Sequence, residues 1–465
     1  MLHALGGWQI APVRLQLNIG DFVDNQPVRF IGLWVFALCF LAMLSEGYDL
    51  GVAGLAAPGI VKTFAISRAQ MASVSSAALF GMLVGAMISG FLGDRYGRKR
   101  GIWVSCLVIG ATCMACAFVT RYTQLLGLRF LSGVGMGALL PNVGALLAEF
   151  LPKRVRATLL TFAFMGITSG GLFPGIVSYV VAGSNWRILF FVGGVLPLVV
   201  GPLLVLFLPE SLKFLALQGG NEQTLRAWVA RLAPDLDVPP GTQFILEEAG
   251  IEDRSMASLF KGKLRWITLA LWLAFPCVML TNFFVNSWLT VALIDSGMSP
   301  GNAAIISSFY YAGGICGGLF MGLALDRWGS VVLPMYAILG AVTLPMTGLA
   351  GSALVASGIC VFFVGFAILG FQVGMSSCAA LVYPTDKRSR GTGLAFSIGR
   401  LGAMSGPLIA GALMGLHHNA LVLFSFPVMP FLAAGISFVF ITVWWTGKVW
   451  GMGFRQMSRF RALAE

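Results

Sequence analysis

The stretch GFLGDRYGRKR, Gly90 to Arg100, places Asp94 and four basic side chains directly between two long apolar runs. A helix needs about 20 apolar residues to cross roughly 30 Å of hydrocarbon, so the tract reads as a short aqueous connection between two membrane spans. A reduced echo, LDRWGS, stands at Leu325 to Ser330 and pairs Asp94 with Asp326 and Arg95 with Arg327, an offset of 232 (327 − 95). RVRAT pairs with RSRGT, Arg156 with Arg390, at an offset of 234 (390 − 156). Pro174 pairs with Pro407 at an offset of 233 (407 − 174). Three matches near half the length of a 465-residue chain make the two halves structural copies.

The rest of the chain fits that reading. It is 58% apolar and only 10% charged, where a soluble domain has about a quarter of its residues charged. By the length criterion about twelve spans are expected, six on either side of a polar segment over 209–265. The expected fold is all-α: a polytopic membrane protein of twelve helices in two pseudo-symmetric six-helix bundles. The bundles cover 30–208 and 266–446, with tails at 1–29 and 447–465.

A net charge of +12 could indicate a nucleic-acid partner, but the basic residues crowd alternate connections. Those are GDRYGRKR, PKRVR (Pro152 to Arg156), the 209–265 segment, DKRSR (Asp386 to Arg390) and the tail with Lys448, Arg455, Arg459 and Arg461. Lys62, Arg68, Arg121 and Arg187 fall on the opposite side. Positive residues mark the cytoplasmic face, so both termini are expected there, with Lys99, Arg100, Lys153 and Arg154 meeting anionic headgroups. The first 28 residues contain Asp21 and Asp24 and lack the apolar core of a signal peptide. All eight cysteines lie in apolar runs and read as small hydrophobes. Three histidines, with His417 and His418 in a connection on the outer side, form no metal-ligand cluster, and neither a metal, a cofactor nor an enzyme site is expected.

Within the first span, LSEGYDLGVAGLAAP (Leu44 to Pro58) carries Glu46 and Asp49 three residues apart, on one helix face. A carboxylate at bilayer depth normally faces a protein-lined or hydrated interior and marks an ion or substrate path. Two carboxylates sharing one partly dehydrated chamber can take up a proton, which proton coupling requires. The alternative is that one of them neutralises a cation to hold helices together, and Arg129 in LLGLRFLSGVGMG lies at a compatible depth. Arg400, in FSIGRLGAMSGPL, has no carboxylate in its own helix. Its planar fork, or that of Arg129, matches a substrate carboxylate, unless Arg400 reaches along its aliphatic stem to the surface.

Asn282 and Asn286, four apart with Trp288 beyond them, together with Tyr310, Tyr311 and Gln372, are candidates to line the site of a planar organic ligand. Asp94, Arg95, Arg98, Glu149, Arg156, Asp326 and Arg327 are candidates for a cytoplasmic gate, pairing across a closing seam. Gly81, Gly85, Gly90, Gly133, Gly137, Gly313, Gly314, Gly317 and Gly318 should let helices approach closely. Pro174 and Pro407 should bend theirs.

Two parallel-repeat bundles around a central site, GFLGDRYGRKR after the second span and LPESLKFLALQGG (Leu208 to Gly220) opening the central segment resemble the major facilitator superfamily over the full length. EGYDLGVAG, RFLSGVGMGALLPNVGALLAE and SRGTGLAFSIGRLGAMSGPLIAG look like its aromatic acid/proton symporter family, with Glu46 standing where that family usually has aspartate. The resemblance implies import of a benzoate, hydroxybenzoate or arylpropionate with protons, by a monomer in a bacterial inner membrane. It makes Glu46 and Asp49 the acidic pair, Arg129 the helix 4 charge, Asp94 and Asp326 the loop acids and Arg400 the helix 11 arginine. A proton-driven exporter of drugs or aromatic compounds shares the fold, although SGGLFPGIV only loosely matches the antiporter motif.

Overall fold

The structure, a computed structural model, describes residues 16–182, 185–217, 222–232, 242–245, 256–262, 264–383, 387–416 and 419–446. Among them are twelve long helices: α1 (Phe30–Phe64), α2 (Arg68–Tyr96), α3 (Arg98–Cys116), α4 (Tyr122–Phe150), α5 (Lys153–Val177), α6 (Trp186–Phe207), α7 (Leu264–Asp295), α8 (Pro300–Trp328), α9 (Val332–Ala350), α10 (Leu354–Val382), α11 (Arg388–Gly415) and α12 (Val428–Thr446). Ten stretches are long and apolar enough to cross a membrane; one of them, Pro300–Ala350, contains both α8 and α9. The helix α11 is not among the ten, with Arg400 near its middle. Met87, Leu206, Leu323, Val355 and Met429 are each more than 70% exposed, a surface suited to lipid and not to water.

Local chemistry sets several boundaries. Ser67 accepts from the Gln70 backbone N–H at 3.2 Å while the Gln70 side chain accepts from the Ser67 N–H at 2.8 Å, a capping box that starts α2. Ser299 caps α8 with Pro300 at its first turn. Between α2 and α3 the chain turns at Gly97, whose φ of +97° favours glycine, and a Cβ there would overlap the Glu210 carboxylate.

The helix surfaces are apolar nearly all round, so small residues decide which faces meet. Gly81 and Gly85 of α2 sit against the carbonyls of Phe130 and Val134, and Gly133 of α4 against that of Ala78. In the second half Gly313, Gly317 and Gly365 sit against Phe362, Phe366 and Tyr310, each pair displaced by 232 residues. The repeat is therefore present in the contacts themselves. For α1 and α5 the offset is different: Gly166 on Phe40 and Gly170 on Leu44 correspond to Gly402 on Pro276 and Gly406 on Leu280, 236 residues on. The matched prolines 174 and 407 are thus three residues, nearly one turn, out of structural register. Gly90 is exposed with open space around it, on a face of α2 turned away from its neighbours, and it supports no close approach.

Contacts between the bundles gather toward the end where α1 passes into α2 and α7 into α8. Ser308 Oγ donates to the Leu172 carbonyl at 3.1 Å and Ser76 Oγ to the Met404 carbonyl at 3.0 Å. Gly54 backs onto the Asn286 carbonyl, and Gly171 lies against the Tyr311 ring. Arg68 forms a 2.8 Å ion pair with Asp295 and donates to the Met414 carbonyl at 3.4 Å. At the other end, strand β1 (Gln16–Asn18) pairs in parallel with β2 (Gln243–Ile245), Leu17 opposite Phe244, so the segment before α1 is tied to the central segment.

Candidate substrate and proton site

Both acidic residues of α1 are withdrawn from lipid: Glu46 is 1% exposed and Asp49 fully buried. One turn apart, they meet different surroundings. Both Asp49 carboxylate oxygens accept from Arg129 Nη1 at 2.8 Å, and Arg129 Nη2 donates to the Asp49 carbonyl at 3.3 Å. Ser132, one turn along α4 from Arg129, donates to Asp49 Oδ2 at 2.9 Å. The guanidinium also lies 5.7 Å from the Phe190 ring centroid. Arg129 is 1% exposed, so this is a closed ion pair locking α1 to α4 and α6. Its two terminal nitrogens are committed to Asp49, while its buried Nε finds no hydrogen-bond partner among the described residues.

Glu46 has no such anchor. Its Oε2 is buried and finds no hydrogen-bond partner among the described residues. The opposing charge that acts on it is that of Arg400, on α11 of the other bundle. Arg400 is half-buried and makes no hydrogen bond with another described residue.

Three of the second-half candidates come together. Tyr310 O–H donates to Asn282 Oδ1 at 2.7 Å, and Asn282 Nδ2 donates to Gln372 Oε1 at 3.0 Å, linking α8, α7 and α10. At the 236-residue offset of the α1 and α7 contacts, Asn282 is the counterpart of Glu46. Tyr311 stacks edge-on against Tyr310, 5.5 Å between centroids, with its buried hydroxyl lacking a well-aligned partner. Trp288 is placed otherwise: it is 2% exposed and its Nε1–H donates to the Pro407 carbonyl at 3.0 Å, which packs α7 on α11. Asn286 faces the bundle interface through its carbonyl at Gly54.

The candidate gate residues separate as well. Glu149 accepts from Ser211 Oγ and from the Lys213 N–H at 3.3 Å. Glu210 accepts from the Lys99 N–H at 3.0 Å and from the Ser211 N–H at 2.9 Å, so the central segment is fastened to α3 and α4. Arg156 pairs with Asp24 and donates to the Leu151 carbonyl at 3.0 Å. These contacts run within the first bundle and its flanking segments, not to the second bundle. Arg98 acts on Glu149 by its charge. Arg95 lies over Tyr96 and Arg327 over Trp328, both exposed, as is Asp326. The Asp94 side chain, His417, His418, Asp386 and residues 447–465 lie outside the described residues.

Sequence reasoning missed Ser132, Glu210, Ser211 and the Arg68–Asp295 pair. Ser132 was signalled by its three-residue spacing from Arg129, and Glu210 and Ser211 by a polar dipeptide just past α6. A groove of about 740 Å³ lined by Phe118, Gln124, Leu128 and Leu131 lies between α3 and α4 and holds none of the candidates. No group of metal-ligating side chains is present among the described residues.

The chain belongs to the Major Facilitator Superfamily, whose family model matches residues 38–407. It is 33% identical over 431 residues to a gallate transporter of Pseudomonas putida, covering 92% of this chain and 95% of that one. With the 4-hydroxybenzoate transporter PcaK of the same organism it shares 34% over 406 residues, 87% and 91% of the two chains. With the 3-(3-hydroxy-phenyl)propionate transporter of Escherichia coli it shares 32% over 413 residues, 87% and 92%. These similarities put it in the superfamily's aromatic acid group; its relatives are transporters and not enzymes. Among solved structures, the inward open form of the xylose transporter XylE from E. coli superposes with a TM-score of 0.64 over 93% of this chain and 99% of that one, at 16% identity.

Proposed function

We propose that the protein imports an aromatic carboxylate together with protons by alternating access. Residues 30–208 and 266–446 are the moving bodies, joined by 209–265, and both termini are cytoplasmic in a bacterial inner membrane. The transporter works as a monomer in lipid without nucleic-acid partners. On this orientation the contacts around Arg68–Asp295 and Ser308–Leu172 shut the outer side, and the conformation is inward-facing.

The observation that carries the mechanism is the inequality of the two acids: Asp49 is neutralised by Arg129, whereas Glu46 is buried with an unpartnered oxygen and only the charge of Arg400 opposite. One guanidinium then serves two carboxylates in turn. When Glu46 takes up a proton, Arg400 is left to bind the substrate carboxylate through its fork of donors. When substrate and proton leave inward, ionised Glu46 regains Arg400, and the empty carrier returns without an uncompensated charge in the membrane. Arg129, committed to Asp49, keeps α1 and α4 together as the bundles rock.

The test is uptake into proteoliposomes of a benzoate or hydroxybenzoate. Glu46→Gln should abolish accumulation driven by a pH gradient while preserving counterflow of labelled substrate. Unchanged gradient-driven accumulation in Glu46→Gln would exclude it as the coupling group, and outward pumping under the same gradient would replace import by export.

A further inference from the structure

The hydrogen-bond chain in the second bundle has a direction. Tyr310 is 1% exposed, and the one acceptor found for its hydroxyl hydrogen is Asn282 Oδ1, 2.7 Å away. Reversing the chain would turn the Asn282 amide toward Tyr310 and leave that buried hydrogen without an acceptor, which is unfavourable. With Oδ1 facing Tyr310, Asn282 presents Nδ2 to Gln372, so Gln372 must accept through Oε1 at 3.0 Å. Its Nε2, carrying two hydrogens, is thereby turned away, and no described residue accepts from it.

The position of Gln372 bears on what that amide meets. It is half-buried, and it lies nine residues, two and a half turns, beyond the outward-facing Phe363, hence on the opposite side of α10 from lipid. Through Asn282 it is coupled to the place in α7 that corresponds to Glu46 in α1. The two bundles therefore present unlike groups at related positions: an ionisable carboxyl in one, a neutral amide relay ending in two donors in the other.

We infer that the Gln372 amide is a specificity determinant that donates to a ring-hydroxyl oxygen of the substrate, aimed by Tyr310 through Asn282. This rests on the aromatic-carboxylate reading above and assigns the end of the ligand remote from its carboxylate. Tyr310 is a positioning residue: it need not touch the ligand, but without its hydrogen the relay loses its fixed direction.

The experiment is binding of benzoate, 3-hydroxybenzoate and 4-hydroxybenzoate to purified full-length protein, with uptake in proteoliposomes as a second measure. Wild type should prefer one hydroxylated acid over benzoate by roughly three- to tenfold, the worth of one neutral hydrogen bond. Gln372→Met, close in volume, should abolish that preference by weakening binding of the hydroxylated acid roughly three- to tenfold more than that of benzoate. Tyr310→Phe should reduce the preference in the same way, with a larger loss for the hydroxylated acid than for benzoate, which a purely structural lesion would not produce. Equal loss for benzoate and the hydroxylated acids in both variants, or an unchanged preference in either, overturns the inference. A wild type that binds all three acids equally also overturns it, whereas failure to bind any of them removes the carboxylate reading beneath it.

Discussion

Exchanging the two acids of α1 one at a time for their amides should affect stability very unequally. Asp49→Asn leaves the Arg129 charge at a site only 1% exposed and removes two charge-assisted hydrogen bonds of 2.8 Å. Breaking a buried pair by removing one partner costs about 3–5 kcal/mol, because the remaining ion stays desolvated. Glu46→Gln removes an acid whose buried oxygen has no partner, so stability should stay within about 1 kcal/mol of wild type or rise. Arg129→Gln alone should resemble Asp49→Asn. The double variant Asp49→Asn/Arg129→Gln should lose about 2 kcal/mol less than the two single losses added, the signature of direct coupling. The assay is resistance to thermal or denaturant unfolding in detergent at fixed pH, with all variants compared in one lipid and detergent mixture. Equal shifts for Asp49→Asn and Glu46→Gln, or strict additivity in the double variant, would refute the division of the pair into a structural and a working member.

Three further outcomes are expected. Arg400→Gln should fold normally, since Arg400 makes no hydrogen bond with another described residue, yet raise the apparent KM for aromatic acids at least about a hundredfold, read by initial uptake rates. Gly133→Val should fail to yield folded protein, because its side chain would overlap the Ala78 carbonyl, while Gly90→Ala, with open space around it, should change stability by no more than about 0.5 kcal/mol; size-exclusion profiles in detergent separate the two. Asp295→Asn breaks a pair whose side chains are 34% and 41% exposed, so it should cost at most about 1 kcal/mol, but it should favour opening of the end it bridges, seen as faster labelling of a cysteine introduced at Ala72.

Periodicity and composition made the class of fold legible, because a bilayer allows few ways to satisfy a backbone and the apolar runs announce helices directly. GDRYGRKR and LDRWGS revealed the repeat through an Asp-Arg pair and a turn glycine, Gly97 and Gly329, both with positive φ, that stand at one offset in the two halves. The repeat offset was less reliable inside α5 and α11. There a proline can sit one turn either way while the glycine contacts keep register, so Pro174 and Pro407 gave a near match and Gly166 and Gly402 the true one.

From the residues alone it followed that the chain lives in a membrane, that its halves are copies, and that Glu46, Asp49, Arg129 and Arg400 are too deeply charged to be ornamental. Spacing along one helix could not say which cation reaches which acid, because that depends on how α1, α4 and α11 are rotated and how far apart they stand. Packing through glycine faces set those rotations. It closed Arg129 on Asp49, left Glu46 to Arg400 across the bundle boundary, sent Trp288 into the α7–α11 contact and strung Tyr310, Asn282 and Gln372 into a directed line.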